Sequence, residues 1–179
     1  MPTIDIPTWT FVGTWTLVIG TIVLMWWQTR QSRILNSANA VMVLRERFDA
    51  RTMRRARRLL ASHLLNHRHE DITNLEVGAF FELVGALTHR GILEEDLVWE
   101  AFGTWAAGYY HALRNPVDLI GTARGSLKDP LLFHEFEWLH NRVLHLDRSH
   151  LGARHAEVVD DEEEVRVLLK RESDLDADG

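Results

Sequence analysis

The chain is 179 residues long, has a formal net charge of −6 and contains no cysteine. Its length beyond the N-terminal apolar segment suits one small domain, not two, and the missing cysteines exclude disulfides and agree with a reducing compartment. No Gly-rich phosphate loop, G-x-S-x-G elbow or paired carboxylate constellation occurs.

Residues Ile6 to Thr29 carry no charge. The apolar core of that stretch, Trp9 to Trp27, is long enough to cross the ~30 Å hydrocarbon core of a bilayer as a helix. A cleaved signal peptide would need a basic n-region and a nearby small-x-small site; only Asp5 precedes the stretch, and Ala38-Asn39-Ala40 lies beyond Arg30 and Arg33. We therefore expect a transmembrane helix over residues 8–28, with Trp9, Trp26 and Trp27 as interface anchors. No Lys or Arg precedes it, whereas Arg30, Arg33, Arg45 and Arg47 follow it. The positive-inside rule predicts a single-pass inner-membrane protein with its N-terminus outside and the rest cytoplasmic. At 100° per residue, Thr10, Gly13, Thr14, Thr16, Gly20 and Thr21 share one face. Small residues let helix backbones approach, so this face predicts self-association into a homo-oligomer within the lipid bilayer.

Charge divides the chain. Residues 1–68 sum to +7 and residues 69–179 to −13. Anionic lipid attracts basic segments near its surface, at ~1 kcal/mol per residue, and repels acidic ones. The order lets the domain stand off the bilayer.

The rest of the chain reads as helices, making the fold class all-α. A juxtamembrane helix continues over 29–48, with Ile34, Ala38, Val41 and Phe48 at helical spacing. A bundle over 49–147 follows. Asp49 is the expected N-cap of a helix from Ala50 to Asn66. Asp71 or Thr73 is expected to open the next, whose stripe is Ile72, Leu75, Ala79, Leu83 and Leu87, widened by Phe80 and Val84, and whose C′ residue is Gly91. A helix from about Glu94 to Arg114 follows, with Glu94, Glu95 and Asp96 complementing its dipole and Val98, Phe102, Trp105, Tyr109 and Leu113 as its core face. Asn115-Pro116 stops it. Asp129-Pro130 is expected to supply N-cap and N1 of the last long helix, which presents Leu132, Phe136, Leu139, Val143 and Leu146. Four or five amphipathic helices with short connections make a bundle. Residues 148–179 read as an acidic tail, mostly disordered: His155 to Gly179 hold ten acids and three bases. The alternative there is a short helix over Glu162–Glu172, with Val165, Leu168 and Leu169 on one side, docked on a partner or on the basic helix.

Four groups of residues invite chemistry. As a helix, Ala50–Asn66 places Arg51, Arg54, Arg55 and Arg58 within about 100° of arc. This basic face suits lipid phosphates, the chain's own acids or a protein partner; nucleic acid is a lesser fit, because no aromatics interleave with the arginines. Second, Arg58 and His63 have the R-x-x-x-x-H spacing of HEPN ribonucleases, in which His moves protons and Arg holds phosphate. Leu59 departs from the polar residue usual there, and the two side chains point ~140° apart on a helix. Third, His63 and His67 are four apart, with His69 following, and His140, His145, His150 and His155 recur every five residues. Neither pattern converges three ligands, so no metal and no cofactor is expected. Fourth, Glu82 lies among apolar residues and needs a partner such as Arg90 or Arg124. The aromatic run from Trp99 to Tyr110 reads as core, with Gly103 and Gly108 explained by close helix packing.

The stretch Phe80-Phe81-Glu82-Leu83-Val84-Gly85, then His89-Arg90-Gly91-Ile92-Leu93, Asp96-Leu97-Val98-Trp99 and Phe102-Gly103, resembles a widespread uncharacterised family of small bacterial membrane proteins. The resemblance covers roughly residues 8–147 and implies one N-terminal span before a helical cytosolic domain, with no activity to carry over. The layout is also similar to membrane-anchored accessory proteins of RNA-targeting CRISPR systems with a HEPN-like domain. Taken together, these features predict a non-enzymatic, membrane-anchored interaction module, with a defence-related or membrane-perturbing assembly as one setting. The alternative is a HEPN-like ribonuclease using Arg58 and His63.

Overall fold

The computed structural model describes residues 8–66, 75–115, 118–150 and 161–175, and within the first of these the side chains of 8–20, 22, 23, 29, 30 and 33 lie outside the described set. Every regular element among the described residues is a helix: α1 (Thr8–Asp49), α2 (Arg51–Leu65), α3 (Glu76–His89), α4 (Glu95–Arg114), α5 (Leu119–Leu127), α6 (His134–His150) and α7 (Glu162–Ser173). The all-α expectation holds. The chain divides into two units, Met1–Asn36 and Ser37–Gly179.

In the first unit the backbone is helical from Thr8 onward. Leu24, Met25, Trp26 and Trp27 are each more than half exposed, and Thr21 is exposed. The side chains of Trp9, Gly13, Thr14, Thr16 and Gly20 lie outside the described residues. Among the described residues, no helix is long and apolar enough to cross a membrane.

The second unit is organised around Phe48 at the end of α1. Its ring meets Phe80 and Phe81 of α3 and Phe102 and Trp105 of α4, at centroid distances of 5.1 to 5.8 Å, mostly edge-on. Phe81 stacks on Phe136 of α6 at 5.1 Å, extending the cluster. Offset and edge-to-face arrangements suit the ring quadrupoles and add to the area buried. The α3–α6 crossing is close because Gly85 faces the Glu135 carbonyl oxygen, where a Cβ would collide with backbone. α7 packs on α2 and α4.

Helix ends are satisfied both from other helices and locally. Ser37 Oγ of α1 accepts the Glu94 N–H at 2.6 Å, just before α4. Asp118 caps α5 within its own segment by accepting the Gly121 N–H at 2.8 Å. α3 ends as expected: Gly91 has φ +68°, its N–H donates to the Thr88 carbonyl and that of Ile92 to the Leu87 carbonyl. These paired bonds are a Schellman motif, which needs a residue free to adopt positive φ.

Five expectations are corrected. Asp49 is not an N-cap but the last residue of α1; Ala50 precedes α2, with no side-chain cap. Asp49 instead takes a hydrogen bond from Arg45, Nε to Oδ2, at 3.2 Å. The stripe of α3 is rotated: Ala79 and Leu83 are exposed, while Val77, Phe81, Gly85 and Thr88 join Phe80 and Val84 inside. Contact with Phe48 and Phe136 pulls the Phe80-Phe81 pair inward and turns Leu83 out. The expected openers Asp71 and Thr73, and Ile72, lie outside the described residues. α6 begins at His134 rather than at Asp129-Pro130; Asp129 Oδ1 accepts the Leu131 N–H at 3.0 Å in a turn. Phe133, with φ +59°, redirects the chain, and its ring packs over Gly78, which has no Cβ to obstruct it. α5 is a helix that the sequence reading does not contain. Lastly, residues 162–173 are not a solvated tail: Val165, Leu169 and Glu172 are buried.

Candidate functional site

The buried face of α2 holds Met53, Leu60, Ala61 and Leu64, and among them a charge, Arg57, which is 3% exposed. Glu172 of α7, also 3% exposed, faces it. Arg57 Nη1 lies 3.3 Å from Glu172 Oε2. Trp105 Nε1 donates to Oε1 at 3.0 Å and the Tyr109 hydroxyl to Oε2 at 3.1 Å, both from α4. A carboxylate withdrawn from water is stabilised only when its lone pairs are met, and here three donors meet them.

The donors are themselves held in place. The Arg57 guanidinium lies 4.0 Å from the centroid of the Phe48 ring, and its Nη2 is 3.9 Å from Asp49 Oδ1. Arg45 lies over the Trp105 ring at 4.5 Å and donates to the Ala101 carbonyl at 2.6 Å. Burial, and then the negative charge of Glu172, push the Tyr109 hydroxyl well above its ordinary pKa, with Arg57 opposing. Tyr109 is therefore a neutral donor at any physiological pH. Gly108, one turn from Trp105, leaves a notch that Leu168 of α7 fills; a Cβ there would overlap the Leu168 side chain.

The expected basic face is only partly separate from this centre. Arg51 and Arg55 are exposed, while Arg54 and Arg58 are half-buried. The acidic C-terminal segment does dock on α2, but through Arg57, which the basic face omits. Arg58 and His63 lie five positions apart on the regular helix α2, so their side chains leave it ~140° apart. His63 is half-buried.

Other histidines pack on aromatic rings. His89 stacks on Trp138 at 4.4 Å with Nδ1 2.9 Å from Glu135 Oε2. His140 stacks on Tyr110 at 4.4 Å, and His150 on Trp99 at 5.0 Å. Among the described residues no group of three or more His, Asp or Glu converges as a metal site would require. Glu82 has a partner, but neither Arg90 nor Arg124: its Oε2 accepts the Phe136 N–H at 2.7 Å, in the first turn of α6. A carboxylate there satisfies an orphan donor and meets the positive end of the helix dipole. Arg124 instead donates to Glu137 at 2.8 Å and to the Leu132 carbonyl at 2.7 Å. That bond, aided by the charge of Arg124, holds the Glu137 carboxyl below its ordinary pKa.

A shallow groove of about 310 Å³ opens elsewhere, between Arg47, Met53, Phe80 and the exposed Leu83; neither Arg58 nor His63 lines it.

No curated protein and no solved structure matches this chain. Residues 13–143, which include Arg57, Trp105, Gly108 and Tyr109, match the family described as Domain of unknown function (DUF4760), and the chain belongs to that family.

Proposed function

We propose that the protein is a membrane-anchored, non-enzymatic interaction module: an N-terminal span that self-associates, carrying a cytoplasmic helical bundle that binds a protein partner. The observation that carries the reading is the run Leu24–Trp27, four consecutive exposed apolar side chains inside a charge-free, helical stretch. Such a run exposed to water is unfavourable by ~25 cal/mol per Å² of apolar surface, and lipid removes that penalty. The arginines after the stretch and none before it support the orientation. The Gly13–Gly20 face supports association. A bundle whose buried polar groups serve helix docking and capping supports binding over catalysis.

Fractionation of lysed cells without detergent tests the anchor: the full chain is expected in the membrane pellet. Its recovery in the high-speed supernatant overturns the reading. The mass of the detergent-solubilised chain tests association. Wild type is expected above monomer mass and Gly13→Leu with Gly20→Leu at monomer mass; monomeric wild type removes the self-association.

A further inference from the structure

The groove between α2 and α4 is built as a receptor. Arg57 Nη1, Trp105 Nε1 and the Tyr109 hydroxyl converge on one carboxylate, that of Glu172. Phe48 and Asp49 hold Arg57, and Arg45 holds Trp105, so both donors are oriented by contacts that do not involve α7. The notch at Gly108 is likewise a property of α4. What α7 contributes is the acceptor and three apolar side chains, Val165, Leu168 and Leu169.

Three observations mark α7 as a removable occupant. It is 12 residues long, a length at which an isolated helix is marginal in water. Its contacting residues fall at i, i+3, i+4 and i+7, the register by which one amphipathic helix reads a groove on another protein. The segment shared with the family, residues 13–143, holds every receptor residue and ends before α7. Vacated, this groove presents one cation and two neutral donors to solvent, so charge complementarity favours an acidic occupant over any other.

We propose that the α2–α4 groove is a receptor for an acidic amphipathic helix of a partner protein, and that α7 masks it from within the chain. The partner helix carries apolar residues at i, i+3 and i+4 and a Glu at i+7, for Arg57, Trp105 and Tyr109. Because α7 belongs to the same chain, its docking is intramolecular, with an effective concentration on the order of mM, so a partner must outcompete it. The inference rests on the interaction-module reading for the existence of a partner, but not on the membrane anchor.

The probe is a fluorescent peptide of residues 161–174, titrated by anisotropy into the detergent-solubilised full chain. Leu169→Asp puts a charge against the groove and releases α7. The Leu169→Asp chain is expected to bind the peptide at least about tenfold tighter than wild type, and the peptide with Glu172→Ala to lose that binding. No binding to the released chain, or equal binding to both chains, overturns the proposal. A second measurement needs no variant. In wild type the amides of α7 are expected to exchange at least about a hundredfold faster than those of α4. Equal exchange would mean α7 leaves only when the whole bundle unfolds, and masking would be wrong. Failure of the anchor shows separately, as recovery of the chain in the supernatant.

Discussion

Replacing Arg57 with Met removes the cation from the docking site while keeping most of its length. Glu172 then faces only the neutral donors Trp105 and Tyr109, with an uncompensated charge inside the bundle. Removing one partner of a buried ion pair typically costs ~3–5 kcal/mol, a factor of roughly 10² to 10⁴ in a docking equilibrium. The chain has an escape: α7 can leave and return Glu172 to water. Arg57→Met should therefore free the 12 residues of α7 from protection and leave α3, α4 and α6 folded. Glu172→Gln should do the same from the other side, because Arg57 keeps its charge with Asp49, at 3.9 Å, as the carboxylate left beside it. The double variant removes both charges, and the amide oxygen that replaces the carboxylate at position 172 still accepts from Trp105 and Tyr109. It should regain most of the protection that either single change loses. Hydrogen exchange resolved to α7, with the three variants and wild type forming a double-mutant cycle, measures this directly. If the double variant loses as much protection as the two single changes added together, the charges act independently and the reasoning fails.

Four further outcomes follow from the packing, the caps and one ion pair. Gly85→Ala drives a Cβ into the Glu135 backbone and should destabilise by ~1–3 kcal/mol, lowering the thermal midpoint by several degrees. Gly125→Ala, whose Cβ meets nothing within 4 Å, should be neutral or slightly stabilising. Glu82→Ala removes the acceptor from the first turn of α6 and should cost ~1 kcal/mol by urea denaturation, with Glu82→Gln losing less. Glu137 has its pKa lowered from 4.5 by Arg124, so it stabilises the fold above about that pH and ceases to as pH falls through the lowered value. Arg124→Met should therefore shrink the stability lost as pH falls from neutral through the carboxylate range.

The helices that were legible in the sequence are those whose stripes are long and whose stops are local. α4 is the best case: Val98, Phe102, Tyr109 and Leu113 are buried as spaced, and the chain turns extended at Asn115 before Pro116. The close approach inferred from Gly108 is also present, although its neighbour, Leu168, lies 60 residues away. Local signals mislead where tertiary contacts outvote them. Asp129-Pro130 has the residue types of a helix start, yet Glu82 supplies the acceptor to α6 from another helix. α5 carries Gly121 and Gly125 in nine residues and buries only Ile120, so it offers almost no periodic signal. In α3, Phe80-Phe81 and Leu83 are equally apolar, so spacing alone does not centre the stripe; the positions of Phe48 and Phe136 decide between them.

The site was hardest to see because its chemistry runs against composition. Arg57 sits in a run of five arginines within eight residues, and nothing local distinguishes it from its neighbours. Glu172 belongs to a strongly acidic segment whose composition argues for solvation. Each is ordinary alone; they become informative as a pair, 115 positions apart. The pair also explains what the apolar residues cannot. Val165, Leu168 and Leu169 alone would set the register of α7 less sharply, because leucine packs against many surfaces. A shift of four residues places Leu168 where Glu172 stands, leaving Arg57, Trp105 and Tyr109 without an acceptor, and sends Leu168 away from the notch at Gly108. The buried ion pair thus selects the register of α7 more than it adds to stability, the role for which buried charges are best attested. A double variant that keeps α7 protected but lets it occupy more than one register would separate those two contributions.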